Sequence, residues 1–249
     1  MTDLDLFHNE TPTKTSEFLT VLPVSVIDIA AQKKRDKEDH STTSSRSNYS
    51  PFPKEIATLC YEFFLKHSSL VFDPFAGWGE RAYYAKLNNL QYVGYDTSFA
   101  AIQRAFNDFK VNNLLADSST EELPDFDGMI TCPPYWNLEK YDNPDGLDRC
   151  PTWETFLTCY RRIISRCFEK AKCGTIFCVM VGEWRKKGVY YDLEFETRSA
   201  FKAVGAEIID QIIVSRSKVS KIKIMLPQCK RLGYSVRVHE CLLVFKKPV

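Results

Sequence analysis

The sequence predicts a doubly wound α/β fold, a mostly parallel sheet of seven strands whose final pair is antiparallel. Three observations carry this. From residue 50 onward, short apolar runs alternate with longer segments of helical spacing, the pattern of repeated βαβ units. A glycine-rich turn, Gly77-Trp78-Gly79, follows the first of those runs and opens a helical segment. The last two runs, 207–214 and 239–247, are joined by a segment too short and too polar for another βαβ unit, so they should pair antiparallel.

The elements follow in order. Ser50 or Pro51 opens a helix in which Ile56, Leu59, Cys60, Phe63 and Phe64 recur at helical spacing. Residues 69–73 (SLVFD) read as a buried strand, 80–89 as a helix, 91–96 (QYVGYD) as a strand and 98–109 as a helix. A short strand at 112–117 and another at 126–131 come next, the latter running into two prolines. A long helix over 152–171 is stopped by Gly174, before the strongly apolar strand TIFCVMVGEW. A helix over 192–205 ends on Gly205 and leads into the final strand pair.

Ahead of these, the segment 18–31 is apolar enough to pack, whereas 32–48 is charged and rich in Ser and Thr, as a mobile connector would be. The expected organisation is therefore an N-terminal extension over 1–49, partly flexible, and one domain over 50–249 with a basic loop at 215–238.

Composition narrows the class. With 249 residues, 44% hydrophobic and 26% charged, the chain can build one sizeable core. A net charge of +1 implies nothing about an anionic partner unless the charge is unevenly placed. Nine cysteines occur with no C-x-x-C pair, which argues against a disulfide framework and against a zinc site. Cys60, Cys167 and Cys178 lie in apolar runs, as buried thiols would in a reducing compartment. The acidic, polar start (MTDLDLFHNETPTK) is unlike a signal peptide, and no apolar run approaches the length of a membrane span. These features predict a soluble protein of the cytoplasm or nucleus, not a secreted one, and no metal site.

Two motifs carry chemistry. In VFDPFAGWGER (71–81), Gly77 and Gly79 allow close backbone approach to a ligand, and the following helix offers free N–H groups. The third glycine of a dinucleotide fingerprint is replaced by Ala82, which that fingerprint tolerates, so spacing alone leaves nicotinamide and flavin cofactors open. The preceding Asp73, Pro74 and Phe75 discriminate. Asp73 at a strand tip can face an ammonium group, and Pro74, Phe75 and Ala76 shape the adjoining wall. Asp96 ends the next strand, where it can accept both ribose hydroxyls. Asp117 ends the one after, where it can accept from an adenine amine. Three acids on successive strand tips beside a glycine-rich turn describe a nucleoside with a cationic amino-acid tail, S-adenosylmethionine.

The second motif is MITCPPYW (129–136). Pro133 and Pro134 fix φ and lack N–H groups, so the strand must stop rigidly there and display Cys132, Tyr135 and Trp136 at its end. In open α/β sheets, that carboxyl edge is where ligands bind. Trp136 either lines the pocket or packs the loop.

DPFAGWGER followed by TCPPYW resembles the DNA amino-methyltransferases, which modify exocyclic nitrogens of cytosine or adenine. The resemblance covers roughly residues 50–247 and implies a Rossmann-like methyltransferase fold and S-adenosylmethionine as cofactor. It implies a site in which Asp73, Pro74, Phe75, Ala76, Gly77, Gly79, Asp96 and Asp117 hold the cofactor. Phe52, on the approach helix, would lie at its methionine side. Cys132, Pro133, Pro134 and Tyr135 would form the catalytic corner, with Tyr135 stacking on a base turned out of the duplex. The family carries Ser at position 132 for cytosine N4, and Asp or Asn for adenine N6. Cys is closest to Ser, which favours cytosine N4 over adenine N6. An RNA or protein methyltransferase using the same Pro-Pro-aromatic loop is the alternative, and a catalytically degenerate binding subunit is the third reading.

Double-stranded DNA as partner needs cationic surface. Residues 215–238 hold Arg216, Lys218, Lys221, Lys223, Lys230, Arg231 and Arg237 without an acid. A second basic loop, 182–191, holds Arg185, Lys186 and Lys187 on the catalytic side. The acidic stretch 139–148 is expected to form a flap over the pocket instead. With no room for a separate recognition domain, target reading falls to these loops or to a second copy in a homodimer.

Overall fold

A computed structural model describes residues 21–29, 51–138, 141–216 and 221–249. The expected connector 32–48 and Lys218 lie outside the described residues. Among the described residues, no helix is long and apolar enough to cross a membrane.

The main sheet has the order β1-β9-β10-β6-β5-β2-β3-β4. Its strands are β1 (Val26–Asp28), β2 (Val71–Asp73), β3 (Tyr92–Asp96), β4 (Leu114–Leu115), β5 (Gly128–Thr131), β6 (Ile176–Val181), β9 (Glu207–Ser215) and β10 (His239–Lys246). All seven expected strands are present, and β1 adds an eighth at the edge by pairing parallel to β9, Val26 opposite Ile213. The apolar segment before residue 50 thus contributes a strand to the sheet. As expected, β10 runs antiparallel, both to β6 and to β9. Its amino end therefore lies at the same edge as the carboxyl ends of the parallel strands, with consequences for the site.

Alternation along the central strands builds two cores. Phe177, Val179 and Val181 of β6, with Cys241, Leu243 and Phe245 of β10, face α4 (Trp153–Lys170) and α5 (Leu193–Ala203), where Phe156, Tyr160, Ile163 and Phe201 are buried. Cys178 and Met180, with Leu242 and Val244, face the other way onto α1 (Lys54–Leu59) and α2 (Glu80–Leu87). Cys60, Cys167 and Cys178 are buried thiols, and none of the cysteines is in a disulfide. α3 (Phe99–Phe109) follows β3, with Ser98 accepting from the Ala101 N–H as its cap.

Three elements differ from the sequence reading. The first helix starts later, at Lys54, because Pro51 and Pro53 hold Phe52 extended; the helix then continues into a π turn over Cys60–Phe64. The expected basic loop at 182–191 is a hairpin of β7 (Glu183–Lys186) and β8 (Val189–Asp192). Its two-residue turn places Lys187 (φ 51°) and Gly188 (φ 83°) in the left-handed region, the type I′ geometry that suits strand twist. The expected loop 215–238 contains α6 (Lys221–Leu232). Ile222, Leu226 and Cys229 give it a helical stripe, of which Cys229 is buried, although Pro227 removes one internal hydrogen bond.

Candidate active site at the carboxyl edge of the sheet

A cavity of about 220 Å³ opens at the carboxyl edge of the parallel strands. Sheet order dictates what meets there. Going from β4 through β3, β2, β5 and β6 to β10, the edge presents Asp117, Asp96, the Gly77 turn, the Cys132-Pro133-Pro134-Tyr135 corner and then Glu240, all on the cavity wall. Adjacent strands are about 4.8 Å apart, so the corner lies two strands, about 10 Å, from the acid on β3.

The glycine turn is built as the sequence implies. Gly77 (φ 56°) sends its N–H to Asp96 Oδ2 at 2.7 Å, and Asp96 Oδ1 accepts from the Ser98 N–H at 2.8 Å. Gly79 (φ 97°) sits behind the wall, where a Cβ would come within 2.7 Å of the Ala105 Cβ, so only glycine fits. Ala76 is buried behind the wall as well, its N–H bonded to the Tyr95 carbonyl. Pro74, Phe75 and Phe52 line the cavity. Burial pushes the Asp96 carboxyl up to about 6 despite its two backbone donors, since those donors only partly replace lost water. Asp117 lines the same end and accepts from the Ser119 N–H at 2.7 Å.

Asp73 departs from its expected role. Its carboxylate is fully buried off the cavity wall, and both oxygens are engaged. Oδ1 accepts from Thr131 Oγ1 at 2.7 Å and the Phe75 N–H at 3.0 Å. Oδ2 accepts from Arg81 Nε at 2.5 Å and the Tyr92 hydroxyl at 2.8 Å. The acid ties the cofactor turn to β3 and β5 and does not reach a ligand. Its partner Arg81, which the sequence reading passed over, does line the cavity.

The Pro-Pro corner brings Cys132, Pro133, Pro134 and Tyr135 together on one wall. The Tyr135 ring stacks on Trp184 of the hairpin, centroids 5.5 Å apart and planes 7° from parallel. Its hydroxyl donates to Glu240 Oε1 at 2.7 Å, and Arg216 holds the other carboxylate oxygen at 2.7 Å. Burial, then the Glu240 charge, raises the Tyr135 phenol well above its ordinary value, so it stays a hydrogen-bond donor. Gly182 leaves room for this contact: a Cβ there would lie a tight 3.2 Å from Glu240 Cγ and 3.3 Å from the Tyr135 hydroxyl. Trp136 packs the loop, its Nε1 donating to the Cys150 carbonyl at 2.8 Å and its ring set against Trp153 and Tyr191.

The described part of the stretch expected to form a flap, 141–148, reaches the pocket wall. Tyr141, Asp145, Gly146, Leu147 and Asp148 line it. Asp142 latches onto the start of α3, accepting from the Ser98 hydroxyl and from the Ala100 N–H at 3.1 Å; the Ser98 bond holds its carboxyl below the usual range.

The residues expected to meet phosphate divide. Arg216 lies in the cavity, paired with Glu240. Arg185 stacks between the rings of Tyr190 and Tyr234, 4.7 and 4.8 Å from their centroids, and so packs the hairpin. Lys186 donates to the Asn137 carbonyl, tying the hairpin to the Pro-Pro loop. Arg237 pairs with Glu183 at 3.2 Å. Lys187 sits at the hairpin turn, and Lys221 opens α6. Lys223, Lys230 and Arg231 are exposed along α6, beside exposed Ile224 and Met225.

Glu240, Arg216 and Trp184 are thus site residues that motif reading missed or assigned elsewhere. The signal for Glu240 was present: an antiparallel last strand must bring its first residues to the catalytic edge.

No family profile and no curated protein matches the chain. Solved structures do resemble it. The [4+2]-cyclase SpnF is 18% identical, with a TM-score of 0.53, over 79% of this chain and 82% of SpnF. The N-methyltransferase NodS of Bradyrhizobium japonicum WM9 is 13% identical at a TM-score of 0.50, over 79% and 96%. TrmN from Thermus thermophilus is 14% identical at 0.51, over 78% of this chain but 48% of TrmN, so the chain spans about half of that protein. The chain has the Rossmann-like fold shared with methyltransferase structures, and SpnF demonstrates that this fold alone does not dictate the reaction.

Proposed function

We propose that the chain is an S-adenosylmethionine-dependent DNA methyltransferase that modifies an exocyclic base amine, N4 of cytosine. One observation carries the reading. The rigid Cys132–Tyr135 corner and the Gly77–Asp96–Asp117 wall share one cavity, which joins a nucleoside-shaped site to a hydrogen-bond-accepting corner. The residues suit the cofactor: Gly77 has no Cβ to block approach, and Asp96 and Asp117 stand where ribose and adenine donors would need acceptors.

The cofactor supplies an electrophilic methyl group on a sulfonium. The chain supplies geometry and charge. A ring amine is a poor nucleophile, because its lone pair is delocalised into the ring. A backbone carbonyl of the Cys132-Pro133-Pro134 corner, which cannot rearrange, accepts an amine hydrogen and concentrates electron density towards the methyl carbon. The Cys132 side chain stands beside it as a second, weaker acceptor. Tyr135, backed by Trp184, offers a flat surface for a base rotated out of its duplex. Glu240 and Arg216, paired with each other beside that surface, hold the Tyr135 hydroxyl and so fix the plane of the ring. With S-adenosylmethionine held against Gly77, Asp96 and Asp117, the corner would aim the amine nitrogen at the methyl carbon, so that a nitrogen–carbon bond would replace the carbon–sulfur bond and the amine would lose one proton to solvent. Holding donor and acceptor in line supplies much of the acceleration.

Internal pairing of Arg185, Lys186 and Arg216 reduces the cationic surface left for duplex phosphates and favours one second reading, a base in RNA. Incubation with labelled S-adenosylmethionine and duplex DNA, RNA or protein, then digestion and weighing of the products, decides among them. N4-methylcytosine from DNA is the expected product. N6-methyladenine moves the target base, label in RNA or protein alone overturns the DNA reading, and no transfer with no cofactor binding overturns the enzyme.

A further inference from the structure

Resting on that reading, the structure assigns the methionine-tail subsite to Arg81: we propose that the cofactor is gripped through its carboxylate by this guanidinium, not through its ammonium by Asp73.

Asp73 has nothing left to offer a ligand. Its carboxylate is 0% exposed, and four donors occupy it at 2.5–3.0 Å. Arg81, on the first turn of α2, is the cation that completes this set. One edge of its guanidinium is anchored, Nε to Asp73 at 2.5 Å and a terminal nitrogen to the Phe75 carbonyl at 2.5 Å. Its central carbon, Cζ, lies 4.9 Å from the Phe52 ring centre. These two bonds engage two of the five N–H donors a guanidinium carries. The head group nevertheless lines the cavity, its terminal nitrogen 3.9 Å from where a Gly77 Cβ would stand. A planar cation, fixed along one edge and facing a cavity beside a glycine turn, is arranged to take a carboxylate in a forked pair.

The placement agrees with the strand order. Arg81 follows β2, and β2 lies between the acid of β3 and the corner after β5. An amino-acid tail continuing from a nucleoside on Asp96 and Asp117 would reach the β2 turn on its way past the corner. The electrostatics agree as well. Asp96, Asp117 and Glu80 line the cavity together with Arg81, whereas Arg216, also on its wall, is paired with Glu240. Asp73 acts as its positioning residue: the ion pair beneath the guanidinium raises the Arg81 pKa and fixes the head group before any ligand arrives.

The test is calorimetric titration of the full chain with S-adenosylhomocysteine, an analogue lacking only the tail carboxylate, and an analogue lacking only the tail amine. Loss of the carboxylate should weaken binding about 10- to 100-fold, the value of a charge-assisted contact, and loss of the amine should cost less. Arg81→Lys keeps a cation without the fork and should shrink the carboxylate penalty towards that of the amine. If that variant does not fold, the wild-type ranking still decides. A larger penalty for the amine, or an unchanged carboxylate penalty in Arg81→Lys, overturns the assignment while leaving the methyltransferase reading intact. Failure of S-adenosylhomocysteine itself to bind overturns both.

Discussion

Tyr135 and Glu240 are 105 residues apart in sequence, yet the phenol donates to the carboxylate at 2.7 Å on the wall of the cavity. The contact exists because β10 runs against its neighbours, which returns its second residue to the edge where β5 ends. It fixes the plane of the aromatic ring that the proposed reaction needs as a stacking surface. Tyr135→Phe keeps the stack on Trp184 and removes the bond to a charged partner. We expect kcat to fall about 10- to 100-fold with the cofactor Kd unchanged, and Tyr135→Ala to lose more, because the stacking surface goes too. Single-turnover methylation combined with equilibrium cofactor titration separates the two effects. Loss of cofactor affinity in Tyr135→Phe would show that the ring belongs to the cofactor side.

Asp96 gives a pH dependence with a defined sign. Burial holds its carboxyl near 6 in the free protein, and ribose hydroxyls donate more strongly to the ionised form, which accepts on both oxygens. Cofactor affinity should therefore be constant above about pH 7 and fall towards tenfold per unit below about pH 6. The contribution to stability runs the opposite way. A carboxyl whose folded pKa is raised disfavours folding once it ionises, so this stability is present below about pH 4 and is lost as pH rises through about 6. Asp96→Asn should flatten both profiles and weaken the cofactor at neutral pH. Titrations of both proteins between pH 5 and 8 check it, and an unaltered slope in the variant would assign the titration to another group.

The Asp73–Arg81 pair shows where sequence reading succeeds and where it stops. The turn, the strand tips and the stiff Pro-Pro corner were legible because each rests on local backbone chemistry: glycine where φ is positive, proline where a ladder must end. What Asp73 does was not legible, since its donors come from β3, α2 and β5, and only the assembled fold brings Tyr92, Arg81 and Thr131 to one carboxylate. The same holds for Arg216. Its basic neighbours suggested phosphate, but the register that sets His239 opposite Ser215 delivers it to Glu240. α6 was overlooked for a different reason, because charge and Pro227 masked an apolar stripe at helical spacing. β1 escaped because an isolated apolar segment reads the same whether or not it joins a sheet.

Buried and four-fold bonded, Asp73 also makes a stability prediction. Asp73→Asn leaves the largely buried Arg81 cation without its counter-charge, and breaking one side of such a pair costs about 3–5 kcal/mol. Urea denaturation should show that loss with an unchanged m-value. Asp73→Asn with Arg81→Met should recover part of it, as removing the second charge removes the unpaired one. A double variant less stable than the sum of the two single losses would rule out this account.

The flap latch predicts a kinetic effect. Asp142 is largely exposed but accepts from the Ser98 hydroxyl and the Ala100 N–H at the start of α3, which carries Tyr141 over the cavity towards Trp78. Asp142→Ala should speed cofactor release about tenfold and leave the melting temperature within about 2 °C, since exposed pairs contribute little to folding. Stopped-flow displacement reads the first and a thermal melt the second. A release rate unchanged in Asp142→Ala would mean that the flap does not gate the cavity.

Cys132 decides between two chemistries. A nucleophilic thiol would attack the base and hold it covalently, so Cys132→Ser would abolish turnover. A thiol that merely accepts a hydrogen bond from the amine is a poorer version of a hydroxyl, so Cys132→Ser should preserve or raise kcat. Cys132→Ala should fall by about tenfold or less, because the backbone carbonyl of the corner remains in place. The corner favours the second outcome: Cys132 sits at the strand end beside two prolines, on the same wall as the carbonyls that remain in either variant. Intact-mass measurement during turnover adds a direct readout, since a covalent route would leave nucleotide attached to the chain and the acceptor route would not.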